Sequence, residues 1–168
     1  MIFRGAEAVV EKVKWQNFTA VSKVRNKRSY RHPELERKLV VERLRSESRV
    51  IEYLLSKGVL VPSLYEVNAE KSQIIMEFID GMTLEEGLRT NKFRDYLIST
   101  GILISQIHSF GIVHGDPTTS NFMISGELYA IDFGLSGFDD DAESRASDLR
   151  VFLESLEAHH SEIKGREI

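Results

Sequence analysis

The spacing of apolar residues changes from strand-like to helical within the first third of the chain. β-Branched residues alternate or cluster in EAVVEKVKW and FTAVSKVR, on either side of Gln16 and Asn17, which predicts an antiparallel hairpin. Beyond His32 and Pro33 the apolar residues recur at helical spacing as far as Gly58, which predicts one long amphipathic helix. We therefore expect the N-terminal part of the chain to combine a β-sheet with a helix.

One acidic residue interrupts the apolar side of this predicted helix. Glu47 follows Leu44 by three residues and precedes Ile51 by four, a spacing that turns its side chain toward the apolar face. An unpaired buried charge costs several kcal/mol, so an inward Glu47 needs a cationic partner. The alternative is a glutamate at the solvent edge of the apolar stripe.

The segment after Gly58 changes from strand patterns to helix patterns. VLVPSLYEVN and QIIMEFI have the composition of strands. DGMTLEEGL predicts a turn and a helix, with Thr83 and Glu86 forming a capping box. FRDYLISTGILISQIHSFG predicts a longer helix with a strongly apolar face that ends at Gly111.

These elements predict an α+β fold with two lobes. Residues 1–79 are expected to form a small β-rich N-terminal lobe with one long helix, and residues 80–168 a reduced, mostly helical C-terminal lobe. No repeat or low-complexity linker separates them, so one short extended segment is expected to join the lobes. A ligand is expected in the cleft between them.

Composition narrows the class of protein. The 168 residues are 42% hydrophobic and 29% charged, which is ordinary for a globular domain and argues against disorder. The chain has no cysteine, which excludes disulfides and thiolate metal sites. With no apolar run of about 20 residues and no apolar signal sequence at the N-terminus, we expect a cytoplasmic protein without a membrane span.

Charge is distributed unevenly along the chain. The net charge is −4, yet residues 1–50 hold 13 lysines and arginines against 6 acidic residues. Most of this excess lies in VSKVRNKRSYRHPELERK, residues 21–38, here called the basic N-terminal element. Such an element could face the phosphates of a nucleotide or of RNA, or it could be a solvated surface.

The segment IVHGDPTTSNFMISGELYAIDFGLS carries the candidate chemistry. Asp116 and Asn121 lie five residues apart among Gly, Pro, Thr and Ser, which predicts an irregular loop. FMI and LYAI flank Gly126 as a short hairpin that delivers Asp132 at the end of a strand. In phosphoryl transfer one aspartate accepts the proton of the attacking oxygen, while an asparagine and a second aspartate hold Mg²⁺ on the nucleotide phosphates.

The order of these residues resembles the catalytic and metal loops of protein-kinase-like folds. His-x-Asp is followed by an asparagine, a hydrophobic hairpin and Asp-Phe-Gly. The resemblance assigns Asp116 as the catalytic base and Asn121 and Asp132 as ligands of Mg²⁺. Taken singly, each of these residues is more often a turn or cap residue, and their joint order favours the catalytic interpretation.

A kinase-like fold also requires a lysine on the third strand and a glutamate on the following helix. Lys23 in AVSKV and the inward Glu47 occupy these places, so we expect them to pair and to bind the phosphates of ATP. IIMEFI fits the connection between the lobes. Met76 would line the back of the adenine pocket or simply pack in the core, and the backbones of Glu77 and Ile79 would meet the edge of the base.

Two parts of a typical protein kinase are missing from the sequence. RGAEAVV stands where a GxGxxG loop would cover the phosphates, so binding must rely on Lys23 and the metal ion. No APE motif follows the Asp-Phe-Gly, which leaves little platform for a peptide. A general Ser/Thr protein kinase is therefore not expected.

Five segments together resemble a narrower family. GAEA, VSKVRNKRSYRHPELERKL, RLRSES, HGDPTTSNFMI and IDFGLS follow one another between about Gly5 and Leu153. They are similar to the small atypical kinase subunit of the KEOPS complex, the PRPK type, which is related to RIO kinases. By position, Asp148 resembles the helix residue that braces the catalytic loop in this family.

This resemblance implies an ATPase or atypical Ser/Thr kinase that uses ATP and Mg²⁺. It would work in the complex that makes threonylcarbamoyladenosine in tRNA. The implied partners are the large metal-containing catalytic subunit of KEOPS and a small KEOPS subunit on the N-terminal lobe. The basic N-terminal element is a candidate contact for tRNA.

Two alternatives remain open from the sequence. A kinase-shaped adaptor without catalysis would keep the same motifs but would not need turnover. A small-molecule phosphotransferase shares the spacing from Asp116 to Asn121, but it would need an acidic substrate pocket in an expanded helical lobe.

Overall fold

The computed structural model describes residues 2–4, 8–26 and 32–160 of the chain. Within these ranges, five strands form an antiparallel sheet in the order β1-β2-β3-β5-β4. The strands are β1 (Ile2–Arg4), β2 (Ala8–Trp15), β3 (Phe18–Arg25), β4 (Leu64–Asn68) and β5 (Gln73–Glu77). The predicted hairpin is confirmed, with Trp15 opposite Phe18 across the turn at Gln16 and Asn17.

The predicted long helix is also confirmed and packs against this sheet. Helix α1 (Pro33–Ser56) begins with a proline in its first turn and is followed by Gly58 in the left-handed region, with φ of 74°. Leu44 of α1 packs with Ile74 and Met76 of β5 in a small core. Val21 and Leu64 lie at the edge of that core.

The remaining chain forms helices and short strands around a larger core. Its elements are β6 (Met82–Thr83), α2 (Leu84–Gly87), α3 (Phe93–Ser109), β7 (Ile112–Val113), a 3-10 helix (Thr119–Asn121), β8 (Phe122–Ser125), β9 (Glu127–Ala130), β10 (Gly137–Phe138) and α4 (Ala142–His159). β6, β8 and β9 form one small antiparallel sheet, and β7 pairs with β10. None of the described helices is long and apolar enough to cross a membrane.

The larger core combines residues of α1 with residues of the C-terminal elements. Val50, Ile51 and Leu54 from the second half of α1 pack in it together with Ile107 of α3 and Phe122 of β8. Helix α1 therefore touches both cores, and it fixes the sheet relative to the segment that carries the motifs. A boundary of the two lobes between residues 79 and 80 stays a prediction.

The capping box at the start of α2 is confirmed. The Glu86 amide donates to Thr83 Oγ1 at 3.2 Å, and the Thr83 amide donates to Glu86 Oε2 at 2.9 Å. Just before this cap, Gly81 passes so close to β8 that a Cβ atom there would overlap the carbonyl oxygen of Ile124. The backbone at Gly81 therefore packs directly against the backbone of β8, where the C-terminal elements begin.

Two glycine substitutions test this packing. Gly81→Ala should lower the free energy of unfolding by about 1–3 kcal/mol, because the added carbon must displace the backbone of β8. Gly101→Ala is the matched control, since an added Cβ at this exposed position in α3 meets no atom within 4 Å. It should raise the free energy of unfolding by about 0.5–1 kcal/mol through helix propensity. Urea unfolding measures both, and a neutral Gly81→Ala would show that the close contact is wrong.

Candidate active site

Lys23 and Glu47 form the buried ion pair expected from the sequence. Lys23 Nζ lies 2.6 Å from Glu47 Oε1, and the two side chains are 8% and 1% exposed. Lys23 faces Val10 on one neighbouring strand and Ile74 on the other, in the middle of the sheet. Burial by itself would lower the pKa of Lys23, but the carboxylates of Glu47 and Asp132 hold that pKa above its ordinary value.

Arg25 is a second cation on Glu47 that sequence reasoning missed. Its Nη2 lies 2.5 Å from Glu47 Oε2, and its side chain is only 4% exposed. Arg25 follows Lys23 by two residues on β3, and residues at this spacing point to the same face of a strand. The two-residue spacing of Lys23 and Arg25 could have revealed this second cation from the sequence. It places both side chains on the strand face toward the inward Glu47.

Asp132 is a second carboxylate that contacts Lys23. Its Oδ1 lies 2.7 Å from Lys23 Nζ and accepts a hydrogen bond from the amide of Gly134 at 3.2 Å. Burial alone would raise the pKa of Asp132, but Lys23 and the Gly134 amide hold it below its usual value. The side chain stays 47% exposed, so this carboxylate is charged and open to solvent.

Asp116 and Asn121 are brought together in the loop before β8. Asn121 Nδ2 donates to both the backbone oxygen and Oδ2 of Asp116, at 2.8 and 3.0 Å. The Asn121 carbonyl accepts from the amide of Ile131 at 2.9 Å, directly before Asp132. The loop and the Asp-Phe-Gly segment are therefore joined by backbone contacts.

Asp148 on α4 holds the start of this loop from behind. Its carboxylate accepts from the amides of His114 and Gly115 at 2.7 and 2.8 Å, and from His108 Nε2 at 2.8 Å. Burial alone would raise the pKa of Asp148, but these three donors keep it below its ordinary value. The location fits the bracing role expected for Asp148, and His108 is a partner that the sequence did not reveal.

His114 bridges the loop and the segment of Asp132. Its Nε2 lies 3.1 Å from the backbone oxygen of Ile131, and the amide of Asp116 points to its Nδ1 at 3.4 Å. A carbonyl oxygen can only accept, so the hydrogen of the neutral ring lies on Nε2 and Nδ1 is left as the acceptor. Burial holds the pKa of His114 below its ordinary value of 6.5, which keeps the ring neutral.

In the predicted connection between the lobes, the Glu77 side chain hydrogen-bonds to Ser63. Glu77 Oε2 accepts from the amide and the hydroxyl of Ser63 at 3.0 and 2.9 Å, while the Glu77 amide donates to Ser63 O at 2.8 Å. Met76 and Ile79 are buried on either side of it, and Met76 packs in the small core. That the backbones of Glu77 and Ile79 bind the adenine edge stays a prediction.

Some sequence predictions lie outside the described residues. The centre of the phosphate-covering segment RGAEAVV falls at residues 5–7, and the centre of the basic N-terminal element falls at residues 27–31. The described cations of that element are divided, because Lys23 and Arg25 are buried and paired within the protein while Arg37 and Lys38 are exposed on α1.

The donors at this site suit a metal ion that is shared with a ligand. Within residues 8–26 and 32–160 no cluster of three or more His, Asp or Glu side chains could hold a metal by itself. Asp132 offers a half-exposed carboxylate, and Asn121 offers an amide oxygen in the adjoining loop. Mg²⁺ is commonly bound by one or two such oxygens together with substrate phosphates.

The neutral His114 gives a prediction of pH dependence. Because its pKa is lower when folded, the unfolded chain binds more protons near pH 6, and stability falls as pH drops below about 6.5. His114→Phe should remove this component of the pH dependence between pH 7 and 5. It should also lower the free energy of unfolding at pH 8 by about 1–3 kcal/mol, since Ile131 O loses its donor.

Urea unfolding at several pH values checks this expectation. His159→Gln, at an exposed position of α4, is the matched control for the removal of an imidazole. If wild type and His114→Phe lose stability equally over this range, the neutral, bridging role of His114 is wrong.

Comparison with known proteins places this site in a family. The ABC1 atypical kinase-like domain matches residues 37–164. The KEOPS complex subunit Bud32 of Pyrococcus abyssi is 36% identical over 170 residues, covering 95% of this chain and 77% of that protein. A probable bifunctional tRNA threonylcarbamoyladenosine biosynthesis protein of Methanospirillum hungatei is 42% identical over 156 residues, covering 92% of this chain. The chain spans only 28% of the length of that bifunctional relative.

Solved structures confirm the fold expected from the motifs. The Rio2 kinase of Chaetomium thermophilum, in its complex with ADP, Mg²⁺ and phosphoaspartate, superposes with a TM-score of 0.76 at 17% identity. The match covers 96% of this chain and 55% of that kinase, and it confirms the minimal kinase-like α+β fold. The chain therefore belongs to the ABC1 atypical kinase-like family and is a homologue of the KEOPS complex subunit Bud32.

Proposed function

We propose that this chain is an ATP-dependent atypical Ser/Thr kinase or ATPase that serves a KEOPS-type assembly in the threonylcarbamoyladenosine modification of tRNA. The observation that carries the proposal is the cluster of Lys23, Glu47 and Asp132, with contacts of 2.6 and 2.7 Å around one ammonium group. The hydrogen-bonded pair of Asp116 and Asn121 adjoins it through the backbone. Family membership supports the same activity.

Each residue has a role in this proposal. Lys23, oriented by Glu47, binds the α- and β-phosphates of ATP, and the backbones of Glu77 and Ile79 bind the adenine edge. Asn121 and Asp132 hold Mg²⁺ on the phosphates. When bound, Mg²⁺ neutralises charge that develops on the transferring phosphoryl group.

Asp116 is the proton acceptor in the proposed reaction. The attacking oxygen of the acceptor forms a bond to the γ-phosphorus as the bond to the ADP oxygen breaks, and the acceptor's proton passes to Asp116. Asn121 Nδ2, at 3.0 Å from Asp116 Oδ2, restrains this carboxylate within the loop. With water as the acceptor, the products are ADP and phosphate.

The proposed setting is inferred from the names of two relatives. The Pyrococcus protein is a KEOPS complex subunit, and the Methanospirillum protein is a probable bifunctional tRNA threonylcarbamoyladenosine biosynthesis protein. We infer contacts with a large metal-containing catalytic subunit and with a small subunit on the N-terminal lobe. A cytoplasmic location is part of the same proposal.

A tRNA contact through α1 forms part of the proposal. Arg37, Lys38 and Arg45 are exposed on this helix, and together with Val41 and Glu42 they line a surface cavity of about 230 Å³. Exposed cations of this kind attract phosphates in a manner that added salt weakens. Arg37 and Lys38 belong to the basic N-terminal element, and Arg45 extends its exposed charge along α1.

The first test is Mg²⁺-dependent ATP hydrolysis by the protein alone and with a large KEOPS subunit. Asp116→Asn should retain ATP binding and lower turnover by about 10²-fold or more, because the proton acceptor is lost. Asp132→Asn should abolish the Mg²⁺ dependence of ATP binding. Asp95→Asn, exposed in the first turn of α3, is the matched control and should behave as wild type.

The outcomes separate catalysis from an adaptor role. Turnover that the partner alters and Asp116→Asn removes supports the regulated ATPase. ATP binding without turnover in either state, together with full tRNA modification by a complex containing Asp116→Asn, would replace the proposal with an adaptor.

A further inference from the structure

Both oxygens of Glu47 are occupied, each by a different cation. Lys23 Nζ contacts Oε1 at 2.6 Å, and Arg25 Nη2 contacts Oε2 at 2.5 Å. With Asp132 included, the cluster holds two formal positive and two formal negative charges. It is therefore electrically balanced without any ligand.

When a nucleotide binds, its phosphates compete with Asp132 for the ammonium group of Lys23. Its ammonium contacts Asp132 Oδ1 at 2.7 Å, the oxygen of the proposed metal ligand. Binding phosphates at Lys23 and Mg²⁺ at Asp132 requires this contact to loosen. If Lys23 were the sole partner of Glu47, its movement would weaken the only neutralisation of a carboxylate that is 1% exposed.

Arg25 removes this conflict, because it keeps Glu47 neutralised while Lys23 moves. Its planar guanidinium stays charged at all accessible pH values. Arg25 also contacts the backbone of the Asp-Phe-Gly segment, with Nη2 at 3.4 Å from Gly134 O. It therefore contacts α1 and the segment of Asp132 at the same time, from its own place on β3.

Gly134 shows how closely these groups converge. A Cβ atom at this position would lie 3.0 Å from Asp132 Oδ1, 3.2 Å from Arg25 Nη2 and 3.4 Å from Lys23 Nζ. The glycine lets the guanidinium lie against the backbone beside the proposed metal ligand. Nη2 of Arg25 makes the contacts with both Glu47 and Gly134, and Nε is buried without a hydrogen-bond partner within the described residues.

We propose that Arg25 is a positioning residue of the nucleotide site, which holds Glu47 and the Gly134 backbone so that Lys23 can exchange Asp132 for a phosphate. This inference rests on the proposed binding of ATP. It assigns Arg25 an effect on nucleotide affinity that acts through Glu47.

The test is a double-mutant cycle on ATP binding by the full chain. Titration calorimetry with ATP, in Mg²⁺ and in EDTA, is applied to wild type, Arg25→Met, Glu47→Gln and the double variant. Arg25→Met should weaken binding of ATP with Mg²⁺ by about tenfold, and the double variant should bind like Glu47→Gln alone. Arg25→Lys should recover most of the affinity, because the positive charge returns.

An exposed ion pair supplies the control. Arg150 lies 2.7 Å from Glu154 on α4, with side chains 78% and 61% exposed. Arg150→Met removes an arginine–glutamate pair remote from the cluster, and its ATP affinity should match wild type. Thermal unfolding of every variant without nucleotide separates loss of fold from loss of affinity.

The outcomes distinguish this inference from the proposed function. No ATP binding by folded wild type would overturn the proposed function, and this inference with it. Wild-type binding with unchanged affinity in folded Arg25→Met would overturn the role of Arg25 alone. Additive losses in the cycle would also overturn it, because Arg25 would then act independently of Glu47.

A folding failure of Arg25→Met still leaves a decisive comparison. The double variant contains no unpaired buried carboxylate, so it is compared directly with Glu47→Gln. Equal ATP affinity supports the inference, and a further tenfold loss overturns it.

Discussion

A buried carboxylate on α1 is the constraint on which the site depends. Glu47 is 1% exposed, and an ionised carboxylate in such surroundings is stable only with close cationic partners. Lys23 and Arg25 supply them from adjacent inward positions of β3. This requirement holds α1 against the five-stranded sheet. It also positions the ammonium group of Lys23 where it contacts Asp132.

The second organising feature is a carboxylate that holds backbone amides. Asp148 accepts from the amides of His114 and Gly115, while His114 reaches Ile131. An aspartate on α4 thus positions the loop of Asp116, and a neutral histidine ties that loop to the segment before Asp132. The loop of the proposed base and the segment of Asp132 are thus connected through main-chain groups, and through the Asn121 carbonyl that accepts from the amide of Ile131.

Strong local patterns made much of the fold predictable. The hairpin, the long helix with an inward Glu47 and the capping box of Thr83 and Glu86 all follow from periodicity and turn chemistry. The strand predicted from Val59 begins only at Leu64, because Val59 and Val61 are used in the larger core instead. A short apolar run does not tell strand pairing from core packing.

The sequence by itself predicted the residue types of the site, because a buried charge demands a partner, and its resemblance to kinase-like folds predicted the pairing of Lys23 with Glu47. Only the tertiary structure revealed that Arg25 shares Glu47, that Lys23 also contacts Asp132, and that His108 shares Asp148. These contacts join residues that are 22, 109 and 40 positions apart. They depend on how helices and sheet are placed in space, and no local pattern of residues encodes that placement.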